Sequence, residues 1–387
     1  MNLVFYLFRL HPLIMALLLL WRFVLPLSIK WYLKLPLGLV VSLCCCKLYV
    51  YYLTGGTMMD PLLSRYPAML VDVLGFAAIM LLLLTIGRDL INVIFKLITL
   101  RLSTYIISPH SQVLGTLFIA LSLLFGLVGT WGGFSRPELA RYSITIDKLP
   151  PQAEGYRIVL LADLHVSSPT SKEDLEYIYR GVQALKPDLI VLAGDYQDGE
   201  ILRLDDKTAT ISALQAPDGV YAVSGNHEFY SGYLQWLDYY QQKGLQFLEN
   251  RAVTIRRDGA ALFNLAGLMD KDGARFGFEG PNLDKALSDT DPNLPTILLS
   301  HHPEYARLLQ DKVDLYLAGH THGGMAPGLR TLVAALNGGM VSGLYKLGRE
   351  RVIVSNGTMI WHGFALRIDD PPQVIEITLH SRAATAR

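Results

Sequence analysis

Arg157-Ile158-Val159-Leu160-Leu161-Ala162-Asp163-Leu164-His165 decides the fold: a short apolar run ends on an aspartate and a histidine. Unbroken apolar character from Ile158 to Leu161 suits a strand buried on both faces. The same arrangement recurs downstream. Leu189-Ile190-Val191-Leu192-Ala193-Gly194 leads to Asp195, and Val220-Tyr221-Ala222-Val223-Ser224-Gly225 leads to Asn226. Thr296-Ile297-Leu298-Leu299-Ser300 leads to His301, and Leu315-Tyr316-Leu317-Ala318-Gly319 leads to His320. In an α/β sheet the carboxyl ends of the strands line the binding crevice. Five strands therefore deliver side chains to one rim.

Those side chains share a chemistry. Asp163, His165, Asp195, Asn226, His301, His320 and His322 offer the oxygen and nitrogen donors that hold divalent cations. Six of the ten histidines in the 387 residues lie in or beside these motifs. A pair of cations implies in-line displacement at phosphorus, with the metals clamping the attacking and leaving oxygens. Donors of this kind without thiolate suit Mn, Fe or Zn better than Ca or Cu(I).

Between the motifs, strands are expected at 142–146, 157–162, 188–193, 220–224, 261–266, 296–300, 315–318, 351–355 and 374–379. Helices are expected at 173–185, 208–214 and 233–243. This alternation means α/β layers.

The front of the chain differs. Residues 1–150 hold 12 basic and 5 acidic residues, whereas the remainder holds 22 and 29. A neutral total thus hides a basic apolar front and an acidic back. An acidic domain is a poor host for a polyphosphate backbone, so nucleic acid is not expected as substrate. Four stretches, 12–29, 35–53, 68–86 and 113–131, are apolar enough to cross a bilayer at roughly 20 residues per span. Four such stretches exclude a simple cleaved leader. Asp72 within the third is read as a hydrogen-bonding residue of the bundle interior, with an intramembrane functional group as the alternative. Cys44, Cys45 and Cys46 lie in the second stretch as small apolar filler, or as an acylation site. They leave no thiol for the motif-bearing region. Counts of basic residues on the two sides are nearly even. The basic, apolar segment 88–101, read as a cytoplasmic interfacial loop, tips the motif-bearing region to the outer, periplasmic or extracellular face.

With the motifs assembled, Asp163-Leu164-His165, Gly194-Asp195-Tyr196-Gln197-Asp198, Gly225-Asn226-His227-Glu228, His301 and Gly319-His320-Thr321-His322 resemble the calcineurin-like metallophosphoesterase superfamily, over about residues 142–379. Leu149-Pro150-Pro151, Gly155-Tyr156-Arg157-Ile158-Val159 and Gly319-His320-Thr321-His322-Gly323-Gly324 resemble its membrane-associated branch. The resemblance implies a four-layer α/β fold, a β-sandwich flanked by helices over 142–380, behind a transmembrane region of about four helices over 1–135. It implies one metal on Asp163, His165, Asp195 and His322, and a second on Asp195, Asn226, His301 and His320. Asp195 would bridge, giving one oxygen to each. It implies attack by a metal-bridging hydroxide, His227 as proton donor to the leaving oxygen, and Asp198 orienting that imidazole. Glu228 would support the backbone. His301 is favoured over its neighbour His302. Met325 stands where the branch often has Gln, and His362 has no matching motif. Contact of His302, Met325 or His362 with substrate stays open.

The expectation is a membrane-anchored hydrolase that cleaves a phosphate mono- or diester with two divalent metal ions. Membrane lipids are its surroundings and a lipid-linked ester is one candidate substrate. A metal-binding scaffold without turnover and a transporter with an accessory domain are the alternatives.

Overall fold

The computed structural model describes residues 3–101, 103–309 and 311–382, so residues 1, 2 and 102 of the expected transmembrane region lie outside the described residues. The chain divides into two compact units, Met1–Gly132 and Gly133–Arg387.

The first unit is helical: α1 (Leu3–Leu19), α2 (Trp31–Cys44), α3 (Lys47–Leu53), α4 (Arg65–Thr99) and α5 (Gln112–Gly133). Among the described residues, α4 and α5 are each long and apolar enough to span a membrane. The pair α2 and α3 counts as a third only if taken as one span bent by 68°. The expected straight span over 35–53 is therefore broken. The break falls at Cys45 and Cys46, whose thiols donate to the carbonyls of Val41 and Ser42. Expected span 12–29 is also displaced. α1 begins before Pro12, passes into a π-helical turn (Leu20–Val24) and stops ahead of Pro26. Asp72 sits inside the unit, 2.7 Å from Lys47 Nζ and accepting from Tyr51 Oη at 2.8 Å. Segment 88–101 is not the expected loop: α4 runs through it to Thr99. Arg88 and Arg22 both bond Asp89, which lets this basic stretch stay helical.

The second unit is a sandwich of two six-stranded sheets. Its strands are β1 (Glu138–Ile146), β2 (Tyr156–Leu161), β3 (Leu189–Ala193), β4 (Val220–Val223), β5 (Gln246–Phe247), β6 (Arg251–Arg257), β7 (Ala260–Gly267), β8 (Thr296–Leu299), β9 (Leu315–Ala318), β10 (Gly343–Leu347), β11 (Glu350–Val354) and β12 (Gln373–Ser381). The first sheet runs β1-β12-β2-β3-β4-β5 and the second β10-β11-β9-β8-β7-β6. β2, β3 and β4 are parallel neighbours, as are β7, β8, β9 and β11.

Period-two alternation builds three packed interfaces from these strands. Ile158, Leu160, Leu189 and Val191 face Leu265, Ile297, Leu299, Leu315 and Leu317 between the sheets. Val159, Leu161, Ile190 and Leu192 point the other way. They pack on α6 (Lys172–Ala184), α7 (Ile201–Ser212) and α9 (Tyr233–Gln242), through Leu175, Ile178, Leu204, Ile211 and Trp236. Short helix α8 (Asn226–Tyr230) lies between α7 and α9 in the chain. Leu298, Tyr316, Val352 and Val354 form a third cluster outside the second sheet with Ala306 and Leu309. Full burial of each such side chain contributes about 1.5–3 kcal/mol. The apolar run at Ile158–Leu161 is thus buried on both faces because helices cover one side and a second sheet the other. α6 starts at Ser171, whose hydroxyl caps the Asp174 amide, and α10 (Asp272–Arg275), α11 (Leu283–Leu287) and α12 (Pro327–Leu336) follow later in the chain.

Candidate metal centre

The parallel strands end at one rim, and each is followed by a turn that carries donors. β2 leads to Asp163 and His165, β3 to Asp195 and Asp198, and β4 to Asn226 and His227. β8 leads to His301, and β9 to His320 and His322. Both sheets therefore contribute. The turns are sharp. Asp163, His165, Asp195, His320 and His322 all have positive φ, between 43° and 70°. Non-glycine residues rarely take this conformation, and it persists where the surroundings over-determine it, commonly at functional sites. Two glycines make room for the donors. A Cβ on Gly225 would collide with the Asp195 carboxylate, and one on Gly319 with that of Asp163.

The side chains meet in two overlapping groups. His301 Nε2 lies 3.2 Å from Asp195 Oδ2, 3.2 Å from Asn226 Oδ1 and 3.1 Å from His320 Nδ1. His165 Nε2 lies 3.1 Å from His322 Nε2, 3.6 Å from Asp195 Oδ2 and 4.0 Å from Asp163 Oδ1. His322 Nε2 is 3.5 Å from Asp163 Oδ1. Both groups share Asp195 Oδ2. Its other oxygen, Oδ1, accepts the His227 amide at 2.9 Å. Oδ2 thus faces both groups, while Oδ1 is also tied to the backbone.

These donors fit divalent cations. The other nitrogen of His301 faces the Ala193 carbonyl at 2.8 Å and must donate to it, so in the neutral, metal-binding ring Nε2 carries the lone pair. His165 Nδ1 likewise donates to Asp198 Oδ2 at 3.0 Å. Lone pairs aimed at one another about 3 Å apart match ligands that each sit about 2.1 Å from a shared ion. The charge balance agrees. Burial lowers the pKa of His301, but Asp195 and Asp163 raise it more, to about 10. Burial also opposes charge on His227, and Asp198 and Asp195 overcome it to give about 9. The carboxylates thus call for positive charge in the pocket. Burial holds His320 and His322 well below the ordinary histidine value. Asp163 with His165 and His322, and Asp163 with Asp195 and His301, are among the groups that could hold an ion.

Supporting groups fill in behind. Asp198 serves two rings, with Oδ1 against His227 Nδ1 and Oδ2 against His165 Nδ1. Sequence reading placed it behind His227 alone. Glu228 accepts three amides, from Asp195 at 2.9 Å, Tyr196 at 2.8 Å and Gly225 at 2.6 Å, so it ties the β3 turn to the β4 turn. His302 also groups with His301 and His320 as a possible donor. Its Nε2 is 3.1 Å from Asp270 Oδ2, and its ring packs on His320 at a centroid distance of 3.8 Å. His362 is buried in a short 3-10 turn, edge-on to Phe134, rather than on an open loop. Met325 lines the cavity beside the donors.

Two features were missed in the sequence. Arg367 is buried and reaches His322 Nδ1 at 2.9 Å, while it also bonds the carbonyls of Asn356 and Met359. No motif surrounds it, and a lone arginine 45 residues from its partner carries no local signal. Trp361 stands 5.5 Å from the His227 ring and lines the cavity. That cavity has a volume of about 460 Å³ and opens onto Asp195, Asn226, His227, His320 and His322.

Residues 156–324 match the calcineurin-like phosphoesterase family. An uncharacterized metallophosphoesterase of Helicobacter pylori is 32% identical over 68% of this chain and 70% of its own length. A bovine transmembrane protein with metallophosphoesterase domain is 31% identical over 68% of this chain and 62% of its own. A dimetal phosphatase structure from Danio rerio covers 53% of this chain and 88% of that one, at 14% identity and a TM-score of 0.38.

Proposed function

We propose that this chain, which belongs to the calcineurin-like phosphoesterase family, hydrolyses a phosphate mono- or diester at a site that holds two divalent cations. The observation that carries the reading is the convergence of donors from both sheets on Asp195 Oδ2. Asp163, His165, Asp195 and His322 would hold one cation, and Asp195, Asn226, His301 and His320 the other. Divalent cations of the Mn, Fe or Zn kind supply Lewis-acid charge at the phosphoryl oxygens and lower the pKa of water.

The chain's own residues do the rest. Asp195 keeps the two donor groups in one frame through Oδ2, while the His227 amide fixes its Oδ1. Asp198 accepts from His227 Nδ1, so Nε2 of that ring is turned to the cavity with a proton to give. A proton on that nitrogen can pass to the departing oxygen. His301 is held by the Ala193 carbonyl and His322 by Arg367, so neither ring can swing away. Apolar helices of the first unit would anchor the domain to a membrane.

The test is a panel of phosphomonoesters and phosphodiesters assayed on purified full-length protein after reconstitution with Mn, Fe or Zn, beside Asp195→Ala. Turnover by the parent chain and none by the variant, with both cations lost, is the expected result. Two tightly bound cations in Asp195→Ala with near-normal turnover overturns the shared-ligand assignment. Absence of turnover on every ester by metal-loaded parent protein overturns the hydrolase reading.

A further inference from the structure

α12 is an apolar helix that is only partly covered: Leu329, Arg330, Val333 and Ala334 are half-buried and the rest of the helix is exposed. Its sequence, Pro-Gly-Leu-Arg-Thr-Leu-Val-Ala-Ala-Leu, carries one charge, and none of its residues is buried. That charge, Arg330, is engaged by both oxygens of Asp370 at 2.6 and 2.8 Å. Leu332 and Leu336 stand 58% and 68% exposed. Single exposed leucines are ordinary, but a contiguous apolar face marks a binding surface.

The location of this face narrows what it binds. α12 follows His322 after only Gly323, Gly324, Met325 and Ala326. Gly323 and Gly324 have φ of 67° and 88°, and a Cβ on either would press on Asp370 or Arg330. The turn from donors to helix is therefore tight. Val333 and Leu336 line the same 460 Å³ cavity as His320 and His322, with Met325 and Trp361 also on its wall. One ligand that fills the cavity touches both the donors and Val333 and Leu336. Pockets of this size that combine apolar walls with a few convergent polar groups bind small ligands.

We propose that the substrate is an amphiphile: a phosphate ester whose phosphate sits among the donors and whose hydrocarbon chain lies against Val333, Leu336 and the rest of the α12 face. This rests on the phosphoesterase reading for the phosphate end only. A flat membrane surface or a partner protein would use the outer side of α12 and leave its cavity side unused. Candidate membrane-spanning helices in the same chain keep such amphiphiles within reach.

The test is calorimetric binding of ethyl, butyl, hexyl and octyl phosphate, each below its micelle concentration, to Mn-loaded full-length protein in amphipol. Empty amphipol corrects for partition. Burial of each methylene strengthens binding by up to about fourfold. The parent chain should show that gain over part of the series, and a Val333→Asn/Leu336→Asn chain with unchanged melting should show a much flatter one. Affinity independent of chain length overturns the proposal, and so does an identical slope in parent and variant. The two readings fail separately. A chain-length slope without turnover of any alkyl ester keeps this proposal and sinks the hydrolase. Turnover of ethyl and aryl esters with no slope does the reverse.

Discussion

The guanidinium of Arg367 lies 2.9 Å from Nδ1 of His322, and both side chains are buried. A guanidinium has donors only, so Nδ1 must accept. The remaining nitrogen, Nε2, faces His165 and Asp163. Arg367 therefore fixes which histidine atom is offered to a cation, and at the same time pins the 356–359 turn through two carbonyls.

Arg367→Met should weaken one of the two proposed cation sites. Loss of a group that orients a ligand typically costs about 10–100-fold in metal affinity. Titration of metal-free protein with Mn, followed by elemental analysis, should show one site weakened by that factor and the other near its parent affinity. Equal weakening of both sites counts against the assignment.

Asp198→Asn should affect metal binding as well as turnover, unlike a change that acts on His227 alone. Its two oxygens hold His227 and His165, so the amide must fail one ring. Expected outcomes are a loss of turnover by about 10²-fold or more together with weaker binding at the site that contains His165. Parent-like metal content with only a slower rate would mean that His165 is held in place without Asp198.

His227→Ala should keep both cations and discriminate between leaving groups. General acid catalysis is worth about 10²–10⁴-fold. Hydrolysis of an alkyl ester, whose alkoxide needs the proton, should fall by that factor, and an aryl ester with an acidic phenol should fall far less. Equal losses on both would move His227 from proton transfer to phosphate binding.

Glu350→Gln should remove a pH dependence of stability. Glu350 is buried, its Oε1 has no hydrogen-bond partner among the described residues, and burial with the nearby charge of Asp311 raises its pKa to about 8. The folded state thus holds a proton that the unfolded chain releases near the ordinary carboxylate value. Stability from this group is complete below that value and lost as pH rises through about 8. Melting of the parent chain should drop between pH 5 and pH 9 by roughly 2–4 °C more than that of Glu350→Gln, the effect of about 1 kcal/mol. Parallel pH profiles would remove Glu350 as the cause.

What the sequence reveals depends on how far each signal travels along the chain. β2, β3, β4, β8 and β9 are legible because each is an apolar run that ends in a turn of Gly, Asp, Asn or His. Their donors are legible for the same reason, since strand and ligand are neighbours in sequence. β6 is hidden because Arg251-Ala252-Val253-Thr254-Ile255-Arg256-Arg257 has mixed exposure and a register shift between Ile255 and Arg256. β10 is hidden by its short length and position at the sheet edge. α12 is hidden because an apolar stretch between glycines reads as turn and filler until the cavity beside it is seen. Arg367, Trp361 and the second role of Asp198 depend on contacts between distant segments. The broken second membrane segment depends on local packing at Cys45 and Cys46 that hydropathy does not record.

Asp163, His165, Asp195 and Asn226 belong to one sheet of the sandwich, and His301, His320 and His322 to the other. An ion shared across that seam acts as a rivet. It joins residues as far apart as His165 and His322, 157 positions in sequence, without a covalent bond. Chelation would then be felt as a mechanical event: the sandwich stays hydrogen-bonded at its middle while its upper seam is free to gape. Amide exchange in the turns after β2 and β9 should quicken together, on opposite sheets, when the rivet is drawn.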